Sequence, residues 1–173
     1  MIELLRQRKS VRKYSGQKIE PGKIEILKEA LLRSPSSWDR KPCEFIVVED
    51  PKILEQLSRA KEHGSQFLAE AALGIVVCGD NEKSDVWVED CSIASIIVQL
   101  TAQSLGLASC WIQIRNRMHN EAITAGEYVQ QLLRIPVYIK VESIISLGYV
   151  AKPEKKEADK QLHYDKIRIN FFE

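Results

Sequence analysis

The chain is 173 residues long, enough for one domain with a substantial core and too short for a second independent one. Its 45% hydrophobic and 28% charged residues exclude an intrinsically disordered chain, and a formal net charge of +1 provides no electrostatic basis for a nucleic-acid partner. Glu3, Arg6 and Arg8 interrupt the first turns, so no continuous apolar signal or anchor opens the chain; the expectation is a cytoplasmic protein with no membrane span.

In chain order, Ile2 to Gln7 reads as a short helix, followed by a basic loop from Arg8 to Lys13 and a turn at Ser15 and Gly16. Pro21 opens a helix to Arg33, in which Ile24, Ile26, Leu27, Ala30 and Leu31 recur with helical spacing until Pro35 ends it. A polar loop runs from Ser34 to Pro42. Glu44 to Val48 reads as a strand, Pro51 to Leu57 as a helix, and Leu73 to Cys78 as a buried strand closed by Gly79. Asp85 to Leu105 is a long helix, apolar nearly all round and stopped by Gly106, so it needs cover on several sides. Ala108 to Ile114 reads as a strand, Asn120 to Leu133 as a helix and Tyr138 to Gly148 as a strand of mixed polarity. Beyond Gly148 the chain is highly charged, yet Ile167, Ile169, Phe171 and Phe172 restore apolar character. That pattern predicts a C-terminal segment docking as an extra strand or arm, on a second subunit that would also cover the long helix.

Cys43, Cys78, Cys91 and Cys110 show no C-x-x-C pair and fall mainly in apolar stretches, which predicts buried, reduced thiols.

Three clusters carry candidate chemistry. Arg8, Lys9, Ser10 and Arg12 place two guanidiniums, an ammonium and a hydroxyl in one short loop, a donor set suited to a phosphate, although standing alone it reads first as a solvated basic turn. Ser34, Pro35, Ser36, Ser37, Trp38, Asp39, Arg40, Lys41 and Pro42 form a polar loop stiffened by two prolines, which suits a polar ligand or is simply a turn. Gly106 to Ile114 runs from a helix stop into an apolar strand bearing one amide, Gln113, a wall that fits a flat heterocycle or belongs to the core.

Other chemistries lack their residues. The sequence has no G-x-G-x-x-G turn, no P-loop and no G-x-S-x-G elbow, and His63, His119 and His163 stand without partners at metal-ligand spacing. Glu89 and Asp90 could pair as acid and base, or lie on a helix flank or at an interface.

In this order and spacing the clusters resemble the nitroreductase family of FMN enzymes across almost the whole chain. Arg8-Lys9-Ser10-Val11-Arg12 is similar to the family's N-terminal basic loop, which holds the flavin and its phosphate. Ser34 to Ile46 resembles its A-P-S-x-x-N-x-Q-P-W stretch, with Asp39, Lys41 and Cys43 standing where Asn, Gln and Trp are usual. Asp85 to Trp111, ending G-L-A-S-C-W-I, resembles the long interface helix and the strand after it. Gly148, Tyr149 and Val150 with Lys155 and Lys156 resemble a C-terminal segment that reaches the phosphate.

The resemblance implies a single α+β domain over 1–173, a three-layer α/β/α sandwich with a central mixed, mainly antiparallel sheet and a long interface helix. It implies a homodimer with FMN at the subunit interface, bound by Arg8, Lys9, Ser10, Arg12, Pro35, Ser36, Ser37, Asp39, Lys41, Trp111, Ile112, Gln113, Ile114, Lys155 and Lys156. Backbone amides after the strand would face the flavin, and a bulky Ile114, where glycine is common, would narrow the substrate side. NADH or NADPH would reduce the flavin, and a small nitro, quinone or enone acceptor would reoxidise it in a ping-pong cycle with no catalytic side chain. The alternative on the same fold is a flavin-binding sensor or store without turnover.

Overall fold

The computed structural model describes residues 1–152 and 162–172. Its helices are α1 (Ile2–Gln7), α2 (Pro21–Leu32), α3 (Pro51–Leu57), α4 (Trp87–Ser104) and α5 (Ala125–Leu133), and its strands β1 (Cys43–Val48), β2 (Leu73–Asp80), β3 (Ala108–Gln113) and β4 (Ile139–Gly148). The strands form one sheet in the order β1-β2-β4-β3, antiparallel at each pairing, and a single parallel bridge joins Ser10 to Ser109.

Side-chain alternation along the strands builds two cores. Ile75, Val77, Ile145 and Leu147 face α2 and α4, where they meet Leu27, Leu31, Cys91, Ala94, Val98 and Ala102. Val76, Cys78, Ile112 and Ile144 face the other way, onto a layer with Leu54, Leu57, Ala125 and Val129 from α3 and α5. The result is helices on both sides of the sheet, the α+β sandwich that the resemblance implies.

Three boundaries differ from expectation by two residues or more, each for a local reason. β2 continues past Gly79 to Asp80, because Gly79 lets the strand pass under α4: a Cβ there would lie 2.6 Å from Trp87 Cε3. α5 starts at Ala125 rather than Asn120. The Asn120 side chain accepts from the amides of Ala122 and Ile123 in a turn, and Thr124 and Glu127 then close a capping box. α4 starts at Trp87, after Asp80 Oδ1 has accepted from the amides of Glu82 and Lys83.

Three of the polar positions that gave β4 its mixed pattern are buried and paired. Ser143 bonds Ser95 of α4 at 3.1 Å, Ser146 meets the Tyr14 hydroxyl at 2.7 Å, and Glu142 accepts from Gln113 at 3.1 Å. Glu142 is the extra residue of a β-bulge, since Val77 faces Ser143 while the next residue, Cys78, faces Val141.

The C-terminal segment forms no strand among its described residues. A single 3-10 turn spans Tyr164–Lys166, and Ile167, Ile169, Phe171 and Phe172 are 66% to 90% exposed. α4 also leaves Ile93 and Ile96 more than a third exposed. Among the described residues no helix is long and apolar enough to cross a membrane.

Candidate functional site

β3 lies at one edge of the sheet, and the basic loop docks beside its first half. Ser10 bridges Ser109, and the Val11 amide donates to the Ser109 carbonyl at 3.0 Å. The buried Val11 plugs the loop into the core, which leaves Arg8 and Lys9 half-buried and Ser10 and Arg12 exposed. The Arg12 guanidinium lies over the Phe67 ring, 5.7 Å from its centre.

Residues that sequence reasoning passed over join this cluster. Lys61, from the turn after α3, is held below the ordinary lysine range first by burial, then by the charges of Arg117 and Arg12. Arg8, Ser10, Arg12 and Lys61 all bear on the Cys110 thiol of β3, pulling down a pKa that burial raises. Three cationic side chains, Arg8, Arg12 and Lys61, thus gather near Cys110 of β3, with Arg117 near Lys61. Like charges repel at such range, and an anion placed among them relieves the repulsion. Nothing in the sequence linked Lys61 or Arg117 to Arg12; only the folded chain brings them together.

Along β3, Ile112 and Ile114 are fully buried on the α3/α5 side, whereas Trp111 and Gln113 face the α4 side and are half-buried. This corrects the expectation for Ile114, whose side chain fills the core and narrows no open pocket. Its amide is also used, donating to the Glu142 carbonyl at 3.2 Å. Because amides alternate along a strand, those of Trp111 and Gln113 point away from β4, to the outer edge of the sheet. Trp111 Nε1 donates to Gln113 Oε1 at 2.9 Å, and Gln113 Nε2 donates to Glu142 Oε2 at 3.1 Å. The Gln113 amide is thereby fixed from both ends.

Burial holds the Glu142 carboxyl above the ordinary glutamate range, with the Gln113 donor and the Arg115 charge offsetting part of the effect. The folded chain therefore binds this proton more tightly than the unfolded chain. Stability is fullest below the ordinary glutamate range and declines as pH rises toward the folded value. Glu142→Gln is expected to remove that slope: its melting temperature, relative to the parent, should rise as pH climbs above the ordinary glutamate range. A difference that does not vary with pH would remove the claim.

The loop from Ser34 to Pro42 is fastened elsewhere. The Ser37 amide donates to Asp90 Oδ1 at 2.9 Å, Arg40 pairs with Asp85 at 3.1 Å, and the Pro42 carbonyl accepts from the Asp80 amide at 2.9 Å. Asp90 is thus neither a flank residue nor an acid with Glu89 as its base. It is buried and takes a further bond from Ser84, while Glu89 is exposed. Ser36 Oγ accepts from the Lys41 amide at 2.9 Å, and Asp39 and Lys41 pair with each other at 3.3 Å, so their opposite charges largely cancel. Trp38, Asp39 and Lys41 adopt φ of 52°, 54° and 49°, the left-handed region that costs a residue with a Cβ roughly 1–3 kcal/mol. Pro35 is exposed at the start of the loop.

Within one chain the clusters do not all meet. The basic loop joins β3 directly, but the Ser34–Pro42 loop leads into β1 at the opposite edge, about 14 Å away across three strand spacings. Lys155 and Lys156 lie outside the described residues. Among the described residues no group of three or more His, Cys, Asp or Glu could hold a metal.

The chain matches the family model described as the nitroreductase family over residues 5–63 and 57–149. An FMN-dependent nitroreductase from Clostridium difficile superposes with a TM-score of 0.96 and is 44% identical, over 99% of this chain and 100% of its own. A protein from Archaeoglobus fulgidus, provisionally named NADH dehydrogenase/NAD(P)H nitroreductase, is 38% identical over 96% of this chain and 95% of its own. A protein of the same provisional name from Parabacteroides distasonis has a TM-score of 0.88 and 35% identity, over 99% of this chain and 98% of its own. With fold, basic loop and G-L-A-S-C-W-I strand in agreement, the chain belongs to the nitroreductase family and is an oxidoreductase.

Proposed function

We propose that this oxidoreductase binds FMN along the outer edge of β3 and, as a homodimer, passes electrons from NADH or NADPH to a small nitro, quinone or enone acceptor. The observation that carries the reading is the docking of Ser10 on Ser109, which sets Arg8, Ser10 and Arg12 at one end of an edge strand whose Trp111 and Gln113 amides face outward. The donor set fits the cofactor. Paired guanidinium donors, a hydroxyl and the ammonium of Lys61 suit a phosphate dianion, and edge amides suit the polar rim of a flat ring. FMN held there by Arg8, Ser10, Arg12 and Lys61 would supply hydride uptake from a nicotinamide and electron delivery to an acceptor.

The protein's own part is to bind, orient and exclude. Arg8, Lys9, Ser10 and Arg12 grip the phosphate, the Trp111–Gln113–Glu142 chain of hydrogen bonds keeps the Gln113 end of the strand rigid, and Ile112 and Ile114 back it with a dry core. Pro35, Ser36, Ser37, Asp39 and Lys41 belong to the same site only if a second copy supplies them, since their own loop sits at the far edge. Two further features support the dimer: the exposed Ile93 and Ile96 of α4, and the exposed apolar residues of the C-terminal arm. The Clostridium difficile protein is named for FMN and the Archaeoglobus fulgidus protein for NAD(P)H, consistent with this assignment.

The test is the visible spectrum of protein loaded with FMN and desalted, followed by anaerobic additions of NADH and NADPH. Retained flavin bands that bleach are the expected result. A colourless protein would overturn FMN binding, and retained but unbleached flavin would instead favour a sensor or store. Light scattering should give about twice the 19.8 kDa chain mass.

A further inference from the structure

Cys43 and Cys91 come from positions 48 residues apart, yet their sulfurs lie 3.6 Å from each other. Cys43 opens β1, directly after the Ser34–Pro42 loop, at the position where the family pattern usually carries Trp. Cys91 lies in the first turns of α4, next to Asp90, which holds the same loop through Ser37. We propose that this pair is a peroxide-oxidised site, in which Cys43 and Cys91 form an intrachain disulfide that staples the end of the loop to α4.

Three features of the pair assign the roles. Cys43 is half-buried, so a small oxidant can reach it, whereas Cys91 is fully buried with its thiol within 3.2 Å of the Cys78 carbonyl. The Cys91 thiol can also donate to the Cys43 sulfur, which draws Cys43 below the ordinary thiol range and keeps the proton on Cys91. Closing the pair to a bond of about 2.05 Å requires roughly 1.5 Å of approach, a movement within reach of side-chain rotation.

The reaction balances with hydrogen peroxide as the oxidant. The Cys43 thiolate attacks one peroxide oxygen, the O–O bond breaks, an S–O bond forms, and hydroxide leaves; sulfur is oxidised by two electrons and peroxide is reduced by two. The Cys91 sulfur then displaces the oxygen from Cys43. The S–S bond forms, the S–O bond breaks, and the departing hydroxide takes the Cys91 proton as water.

The remaining thiols are internal controls. Cys78 lies on the opposite face of the sheet in the α3/α5 core, where burial pushes its thiol up to about 12. Cys110 is buried and alternates onto that same face with Ile112.

The site stands on thiol geometry and does not depend on flavin binding. The experiment treats the reduced full chain with hydrogen peroxide, counts thiols after denaturation, and maps a non-reduced tryptic digest. The expected result is a fall from four thiols to two, a loss of two hydrogens in mass, and a bond joining peptide 41–52 to peptide 84–115, with fragment ions placing it on Cys91 rather than Cys110. Cys91→Ser should leave Cys43 as a sulfenic acid that dimedone traps, and Cys43→Ala should keep its three thiols. Four thiols surviving in the parent, a bond to Cys78 or Cys110, or a bond between two chains would each overturn the proposal. The parent digest needs no variant to fold.

Discussion

Replacing Arg8 and Arg12 together by Ala should weaken FMN binding by about 3–6 kcal/mol, roughly a hundredfold to ten-thousandfold in dissociation constant. Each guanidinium offers charge-assisted donors, worth about 1.5–3 kcal/mol when the partner is charged and the site partly shielded. Both arginines bear on Cys110 of β3 beside Ser10, and Lys61 bears on the same thiol, so an anion there meets several cations at once. Arg12 has a second contact to lose, over the Phe67 ring, so Arg12→Ala should also cost fold stability that Arg8→Ala keeps. The doubly lysine-substituted protein separates charge from shape: it keeps the positive field and loses the paired donors, and should fall between parent and double alanine. Fluorescence titration of flavin against each variant checks the ordering. Parent-like affinity in the double alanine protein would remove the phosphate-cradle assignment while leaving the family membership intact.

The largest stability effect is expected at Ile144→Ala. Ile144 is fully buried in β4, between β2 and β3, and packs toward the α3/α5 layer with Val76, Cys78 and Ile112. The strand is held on both sides, so the backbone cannot collapse into the space the side chain leaves. The cost should be about 2–5 kcal/mol, against a total stability of order 5–15 kcal/mol. For a chain of this size that lowers the melting temperature by roughly 4–20 °C. Ile26→Ala provides the contrast, because Ile26 on α2 is 45% exposed. Its effect should stay within about 0.5 kcal/mol. Measurements belong at fixed protein concentration, since any self-association would add a mass-action contribution to apparent stability. Equal losses at both positions would contradict the layer assignment.

Much of the fold was legible because its signals are local. Pro21 and Pro51 mark helix starts, Gly106 follows the end of α4, and an unbroken apolar run marks β2. The errors came where a side chain took over a backbone bond. Asn120 and Thr124 delayed α5, and Gly79 marked a close crossing under Trp87 rather than a strand end. The site was half legible. Spacing brought out the basic loop and the β3 strand as separate clusters, and the structure joins them through one bridge. Lys61, Arg117 and Glu142 stayed hidden, and Asp90 was read only as a partner of Glu89, because their significance depends on long-range neighbours, for which a single sequence carries no signal. Ile114 misled for the opposite reason, since its bulk is satisfied by the core on the face of β3 that periodicity alone did not assign.

The half-covered edge of β3 also bears on how the protein must be made. Residues 10 and 11 shield only the first part of that strand, and the outward amides at Trp111 and Gln113 form a short open template for another strand. A bound planar cofactor would act as a cap on that template. Cells producing this chain faster than they supply flavin should therefore accumulate aggregates, and riboflavin in the growth medium should improve soluble yield.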